Sequence, residues 1–324
     1  MQRDVVLVTG GNSGIGYEAA RALARAGWHV VLASRNRGAS AAAVARIEAE
    51  SGVGSASELG LDLASLASVR QLAKEIDARG LPLRALVLNA GLQGRERRQS
   101  ADGYELTFAA NHLGHYLLAH RLLGRLSERA PARIVVVASG VHDPAQRTAM
   151  PHPAIGDFDA LAVGEDASGR PYSGPRAYVH SKLCNVWFAY ELARRLEAAG
   201  LSSAARPITV NAYDPGLVPG SGLARDYPAA ARFVWDRILP GVARVLNPVY
   251  PGISTAEKSG AALARLVTDP ALARVTGKYF PSTARWREAP SSVESYDAAR
   301  AHALWEASAR LAGLAPDESA LARA

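Results

Sequence analysis

The stretch VLVTGGNSGIGYEAA at residues 6–20 passes from a short β-rich apolar run, through a cluster of glycines, into a segment with helical spacing. A strand that ends in Thr9-Gly10-Gly11-Asn12-Ser13-Gly14-Ile15-Gly16 and feeds a helix restricts the chain to few architectures. The first N–H groups of such a helix lack intrahelical partners, and glycines let a ligand approach the backbone closely, so the turn suits a dinucleotide pyrophosphate. The same alternation continues downstream. Apolar runs predict strands at 4–9, 28–33, 57–61, 84–88, 132–138 and 207–213, and helical spacing predicts helices near 14–26, 38–51, 65–79, 102–127 and 176–199. Parallel neighbours need crossover connections, so a repeated βα order implies a doubly wound parallel α/β sheet with helices on both faces, a Rossmann-like fold.

Two segments break the rhythm. The first, 140–175, holds Pro144, Pro151, Pro153, Pro171 and Pro175 among several glycines and is expected to be a long, mainly irregular insertion. The second, 215–255, is again rich in Pro and Gly but carries Phe233, Trp235, Ile238, Leu239, Val242, Val245, Leu246, Val249 and Tyr250, which predicts a substrate lid inserted after the sixth strand. A helix at 256–268, a short strand at 277–280 and a closing helix at 292–312 follow, the last with Ser291 and Glu294 at the spacing of a capping box. No repeat or linker separates a second unit, so 1–324 is expected to form a single domain.

With 324 residues, 48% of them hydrophobic, the chain can bury a substantial core. Its net charge of +7 comes from arginines scattered among acids, which is not the clustered stripe of a nucleic-acid binder. Val5–Val8 is too short for a signal-peptide core, and no later apolar run reaches the length of a membrane span, so the cytoplasm is the expected compartment. Arg225, Arg232, Arg237 and Arg244 lie beside the apolar lid residues, but Pro240 is expected to interrupt any continuous amphipathic helix there, and membrane contact is not expected. Cys184 is the only cysteine, so no internal disulfide can form. His112, His115 and His142 make no metal-ligand cluster; the first two read as packing groups.

After the second strand comes ASRNRGAS, residues 33–40. Sites that prefer NAD usually place a carboxylate here for the ribose 2′-hydroxyl, whereas this chain offers Arg35, Asn36 and Arg37. An arginine would pair with a 2′-phosphate, which predicts NADP(H); the alternative is that the arginines merely begin a surface helix.

Only four of the 37 basic residues are lysines, and one, Lys182, lies four positions after Tyr178 in AYVHSKLCN. On a helix the two share a face. A phenol with a pKa near ~10 becomes a useful proton relay when a neighbouring cation stabilises its phenolate. Alone, this spacing occurs by chance in many helices. Cys184, two positions past Lys182, points away from that face and reads as a packed thiol.

The glycine turn from Thr9 to Gly16, Asn89-Ala90-Gly91, Asn111 in ANHLGHY, Ser139 after RIVVVAS, Tyr178-x-x-x-Lys182 and Pro215-Gly216 together resemble the ordered motifs of the short-chain dehydrogenase/reductase family over about the first 220 residues. The resemblance implies hydride transfer between a nicotinamide and a carbonyl or alcohol. It implies that Tyr178 is the general acid/base, assisted by Lys182, that Ser139 hydrogen-bonds the substrate oxygen, and that Asn111 holds a water in the proton relay behind Lys182. It likewise assigns Gly10, Asn12, Ser13, Gly14, Ile15 and Gly16 to the pyrophosphate, Asp62 and Leu63 to the adenine, Asn89, Ala90 and Gly91 to the adenosine side, and Pro215, Gly216 and Val218 to the nicotinamide.

NHLGHY, ASGVH, YVHSKLCN and the 38 residues between Ser139 and Tyr178 resemble the branch containing retinol dehydrogenases and light-dependent protochlorophyllide reductases. The light-dependent enzymes carry a cysteine just after the Pro-Gly pair, where this chain has Leu217. The resemblance therefore implies a dark carbonyl reductase or alcohol dehydrogenase, with reduction of a conjugated C=C bond as the second reading and a non-catalytic NADP-binding regulator as a third. The substrate is expected to be a bulky, mainly apolar small molecule met by His142, Leu217, Phe233 and Trp235. Family members commonly associate through the helix carrying Tyr178 and the one after it, but a long insertion before that tyrosine is also compatible with a monomer, so the resemblance leaves a homo-oligomer as one of two open alternatives.

Overall fold

The structure, a computed structural model, describes residues 3–146, 148–222, 228–246, 249–250 and 252–322. In chain order it forms β1 (Val5–Thr9), α1 (Gly14–Arg25), β2 (His29–Ser34), α2 (Arg37–Ser51), β3 (Ala56–Gly60), α3 (Leu66–Ala78) and β4 (Leu83–Leu88). There follow α4 (Leu106–Phe108), α5 (Gly114–Glu128), β5 (Ala132–Val137), α6 (Phe158–Ala162), α7 (Gly174–Ala198) and β6 (Ile208–Asp214). The chain closes with α8 (Ala229–Phe233), α9 (Leu239–Leu246), α10 (Ala256–Thr268), β7 (Lys278–Pro281) and α11 (Ala298–Leu311).

These seven strands make one sheet in the order β3-β2-β1-β4-β5-β6-β7, and each neighbouring pair is parallel. Successive side chains of a strand point to opposite faces. Val6 and Val8 of β1 accordingly pack with Leu23 of α1 and Leu263 of α10, while Leu7 joins Leu117 of α5, Trp187 of α7 and Leu304 of α11. Helices on both sides explain why the strands read as unbroken apolar runs rather than alternating ones. A fully buried side chain such as Trp187 contributes roughly 2–3 kcal/mol, and its indole N–H is satisfied by the carbonyl of Glu294 at 3.0 Å. Gly260 lets α10 lie directly on α1: a Cβ there would come within 2.5 Å of the Glu18 Cβ.

The sequence places the strands well and some helix ends poorly. The helix expected from 102 begins at Leu106, because the Glu105 carboxylate accepts from Thr107 N and Phe108 N, at 2.9 and 2.7 Å, and fixes the first turn there. A π-helical turn, Ala109–Leu113, joins α4 to α5. The last helix starts at Ala298, capped by the Asp297 carboxylate on Arg300 N at 3.0 Å, and not at the predicted Ser291–Glu294 box. Ser291 instead bonds the Tyr190 hydroxyl at 2.7 Å, and Ser292 caps a separate short turn over Val293–Tyr296.

Pro240 also acts differently from expectation. Helical backbone runs from α8 through a π turn, Val234–Ile238, into α9, with Pro240 its second residue. The Leu239 N–H reaches back five residues to the Val234 carbonyl, and this widened turn admits the proline ring. Of the 215–255 lid, residues 223–227, 247–248 and 251, Arg225 included, lie outside the described residues. No described helix is long and apolar enough to cross a membrane. The 140–175 insertion is mainly irregular, as expected, and is tethered over α7: Ala154 N donates to His180 Nε2 at 3.0 Å, and Arg176 pairs with Asp166 at 2.8 Å.

Candidate active site

The strand order reverses between β1 and β4, and a crevice opens beyond the carboxyl ends of these strands, the place where open α/β sheets bind ligands. A cavity of about 1390 Å³ fills it. Gly10, Asn12, Ser13, Gly14, Ile15 and Gly16 form one end of its wall. Ser13 precedes α1 without capping it through its side chain, so the first N–H groups of the helix are left for a ligand. Gly16 has no room for a side chain: a Cβ would stand 2.5 Å from both the Gly10 carbonyl oxygen and Asn89 Nδ2. That closeness lets Asn89 Nδ2 donate to the Thr9 carbonyl at 2.9 Å and tie β4 to the loop. Asn89, Ala90 and Gly91 continue the wall.

At the adenosine end, Arg35, Asn36, Asp62 and Leu63 line the cavity, whereas Arg37 is absent from the wall. Its guanidinium turns to Glu58 on β3, 3.1 Å away. Asn36 also caps α2, accepting from Ala39 N at 2.9 Å. The segment after β2 thus presents one arginine, Arg35, and no carboxylate to the cavity.

Tyr178, Lys182 and Ser139 all line this cavity. The tyrosine and lysine share a face of α7, with Lys182 Nζ 5.5 Å from the centre of the Tyr178 ring. Lys182 is buried, donates to the Val137 carbonyl at 3.1 Å, and has its pKa pushed down to about 8 by burial, against the opposing pull of the Asp214 carboxylate. A cation held here favours the phenolate form of a neighbouring tyrosine, which equips the pair to pass a proton to or from an oxygen in the cavity. Ser139 follows β5 in an extended conformation.

Asn111 lies behind the wall, in the π turn. Its carboxamide accepts from Leu92 N at 2.8 Å and donates to the Leu92 carbonyl at 2.9 Å and to Ser181 Oγ at 3.0 Å. A Cβ on Gly91 would be 3.5 Å from both Asn111 Oδ1 and Lys182 Nζ, which places the two side chains around one point.

Pro215, Gly216, Leu217 and Val218 complete the wall at the end of β6, and Asp214 stands beside them. This carboxylate was not singled out in the sequence, although an acid directly before Pro215-Gly216 at a strand end was a usable signal. It is buried, accepts from Gly216 N at 2.9 Å, and its pKa is raised by burial.

The four substrate candidates separate. Leu217, 48% exposed, and Trp235 line the cavity, and the Trp235 indole donates to the Ser221 carbonyl at 3.0 Å. Phe233 is 60% exposed and off the wall. His142 is buried off the wall because Nδ1 is held on the Ser139 carbonyl at 2.6 Å and its ring packs edge-on to Tyr279. Among the described residues, no group of three or more His, Cys, Asp or Glu could hold a metal ion.

The family model for short chain dehydrogenases matches residues 4–150. Protochlorophyllide reductase A, chloroplastic, of Oryza sativa is 35% identical over 339 residues, covering 97% of this chain and 82% of that protein. The chain belongs to the short-chain dehydrogenase/reductase family. Polyprenol dehydrogenase of Danio rerio, at 35% over 315 residues, covers 96% and 87% of the two chains. Among solved structures, the Pseudomonas aeruginosa RhlG/NADP active-site complex superposes with a TM-score of 0.60 at 26% identity, covering 86% of this chain and 94% of that one. This short-chain dehydrogenase/reductase is therefore an oxidoreductase that depends on a nicotinamide nucleotide. Its residues fit that group: a glycine cradle in which Gly11 and Gly16 leave no space for a Cβ, uncapped N–H groups at the start of α1, and a long cavity lined from Arg35 to Val218.

Proposed function

We propose that the protein transfers a hydride between NADP(H) and the carbonyl or alcohol of a bulky, mainly apolar small molecule, with Tyr178 as general acid/base. The juxtaposition of Tyr178, Lys182 and Ser139 on the wall of the cavity that begins at the glycine loop carries this proposal. The nicotinamide nucleotide supplies the hydride; everything else falls to the chain's own residues. Gly10 to Gly16 and the start of α1 hold the pyrophosphate, and Arg35 pairs with the 2′-phosphate. The RhlG/NADP neighbour and the missing carboxylate after β2 support NADP over NAD.

During reduction the Ser139 hydroxyl donates to the substrate oxygen and aligns it, while the Tyr178 phenol delivers its proton there. The Lys182 ammonium stabilises the resulting phenolate, and Asn111 holds a water that returns the proton from behind. Pro215 to Val218 pack against the nicotinamide side. Leu217, Val218, Trp235 and Ile253 give the cavity an oily stretch of wall, suited to an apolar ligand anchored by a few polar groups. The names of the two curated relatives, which give protochlorophyllide and polyprenol, accord with such a substrate. We also take residues 1–324 as one domain.

The test uses NADPH deuterated at the transferred position and naphthaldehyde, in the dark. Mass spectrometry should find one deuterium on the carbinol carbon. Binding of NADPH with no label transferred to naphthaldehyde or to a panel of bulky ketones would favour a non-catalytic regulator, and label on a ring or chain carbon of a conjugated substrate would favour C=C reduction.

A further inference from the structure

His115 lies outside the cavity wall, yet both of its ring nitrogens are engaged. Nδ1 is 3.0 Å from the Asn111 backbone carbonyl oxygen, and Nε2 is 2.9 Å from Thr9 Oγ1. The partners fix the tautomer. A carbonyl can only accept, so Nδ1 carries the proton, and Nε2 must accept from the Thr9 hydroxyl. Thr9 Oγ1 in turn accepts from Asn89 N and Ala90 N, at 2.9 and 3.0 Å. The result is a directed chain that crosses the fold: Asn89 and Ala90 at the end of β4 donate to Thr9 at the end of β1, Thr9 to His115 on α5, and His115 to Asn111 in the π turn. The imidazole is 1% exposed, and burial, helped by the nearby Lys182 ammonium, pushes its pKa down to about 4, which keeps it neutral.

The Asn111 carboxamide is anchored by Leu92 and Ser181, and the imidazole N–H is held on the backbone carbonyl of the same residue. A carbonyl oxygen has two lone pairs. The imidazole N–H takes one of them and so orients the carbonyl.

We infer that His115 is a positioning residue, whose Nδ1–H fixes the Asn111 carbonyl for the proton relay and joins it to the cofactor loop through Thr9. This rests on the relay role proposed above for Asn111. The two ends of the chain respond differently to loss of the ring. At the Thr9 end the hydroxyl has a second acceptor within reach, the Val87 carbonyl at 3.3 Å, so the loop keeps its geometry. At the Asn111 end the imidazole N–H is held directly on the carbonyl, at 3.0 Å. Removal of the imidazole therefore slows turnover more than it weakens cofactor binding.

The test compares His115→Leu, His115→Gln and His115→Asn in the full chain, with NADPH and naphthaldehyde. Asparagine places an N–H where Nδ1 stands and can donate to the carbonyl four residues back, whereas glutamine carries its amide toward the Nε2 position. His115→Leu and His115→Gln should lose about tenfold to a hundredfold in kcat, with the NADPH Kd within about threefold of the parent and KM little changed. His115→Asn should restore kcat to within about threefold.

Thermal melting accompanies each assay, and if the leucine variant does not fold the Asn/Gln pair decides. Equal kcat in the parent and all folded variants, equal losses in Asn and Gln, or losses that follow NADPH Kd would overturn the inference. Tyr178→Phe is assayed alongside. Retained turnover there would remove the relay and this inference with it, while lost turnover beside insensitive His115 variants would overturn this inference alone.

Discussion

Arg35→Ala tests cofactor choice with a magnitude that follows from the site. Arg35 stands on the cavity wall just past β2, is exposed, and has no carboxylate among its immediate successors, while Arg37 is committed to Glu58. A hydrogen bond to a charged group contributes about 1.5–3 kcal/mol, and two unit charges at ~4 Å gain about 1 kcal/mol in water and about 4 kcal/mol near a protein surface. Exposure and salt screening place Arg35 toward the lower end, near about 1.5–2 kcal/mol, or roughly a tenfold to thirtyfold rise in the NADPH Kd. NADH lacks the 2′-phosphate and should bind within about twofold of its parent value. Fluorescence titration with both nucleotides at low salt, repeated for Arg37→Ala as a control, reads this directly. Equal weakening of NADPH and NADH, or a larger NADPH effect from Arg37→Ala, would refute the assignment.

Two pH dependences follow from burial. Above about pH 8 the buried Lys182 loses its proton, so the reductive rate should decline there; Asp214→Asn, by removing the carboxylate that raises the Lys182 pKa, should move this limb to lower pH. A reductive kcat/KM that stays flat from about pH 7 to about pH 10 would contradict it. His112, His115, His120 and His180 are buried with pKa values lowered by desolvation from 6.5 to about 3, 4, 3 and 4. The unfolded chain binds these protons first, so their contribution to stability is full above pH 6.5 and is lost as pH falls toward those values. Each can steepen acid unfolding by up to about 1.4 kcal/mol per pH unit, which urea melts between about pH 7 and pH 5 would show. Leucine or phenylalanine at His120 should flatten that dependence, and an unchanged slope would contradict it.

The features legible in the sequence are those written in local spacing. The glycine turn after β1, the strand runs, and Tyr178 with Lys182 four residues on needed no distant partner to be recognised. What escaped depends on contacts far apart in the chain. The π turn at Ala109–Leu113 carries no distinguishing propensity; it is read from the structure, where Asn111 holds Leu92 and His115 reaches Thr9, 106 residues away. Arg37 looked as suitable as Arg35 until β3 placed Glu58 opposite it. His142 follows Ser139 by three residues and seemed bound for the substrate, but the Ser139 carbonyl turns its ring inward. Pro240 should have stopped a helix and did not, because the turn before it is π-helical. The 215–255 segment shows the same limit, since apolar composition predicted a lid but could not separate Trp235, which meets the cavity, from Phe233, which faces solvent.

The central claim is that Tyr178 moves the proton while the glycine loop holds the nucleotide, and it is met most directly by Tyr178→Phe. NADPH Kd and naphthaldehyde turnover are measured on the same preparation of the variant and its parent. The account predicts a Kd within about threefold of the parent, because the phenyl ring keeps the packing on α7, and a loss of at least about a hundredfold in kcat. Turnover that survives the loss of the hydroxyl would contradict it.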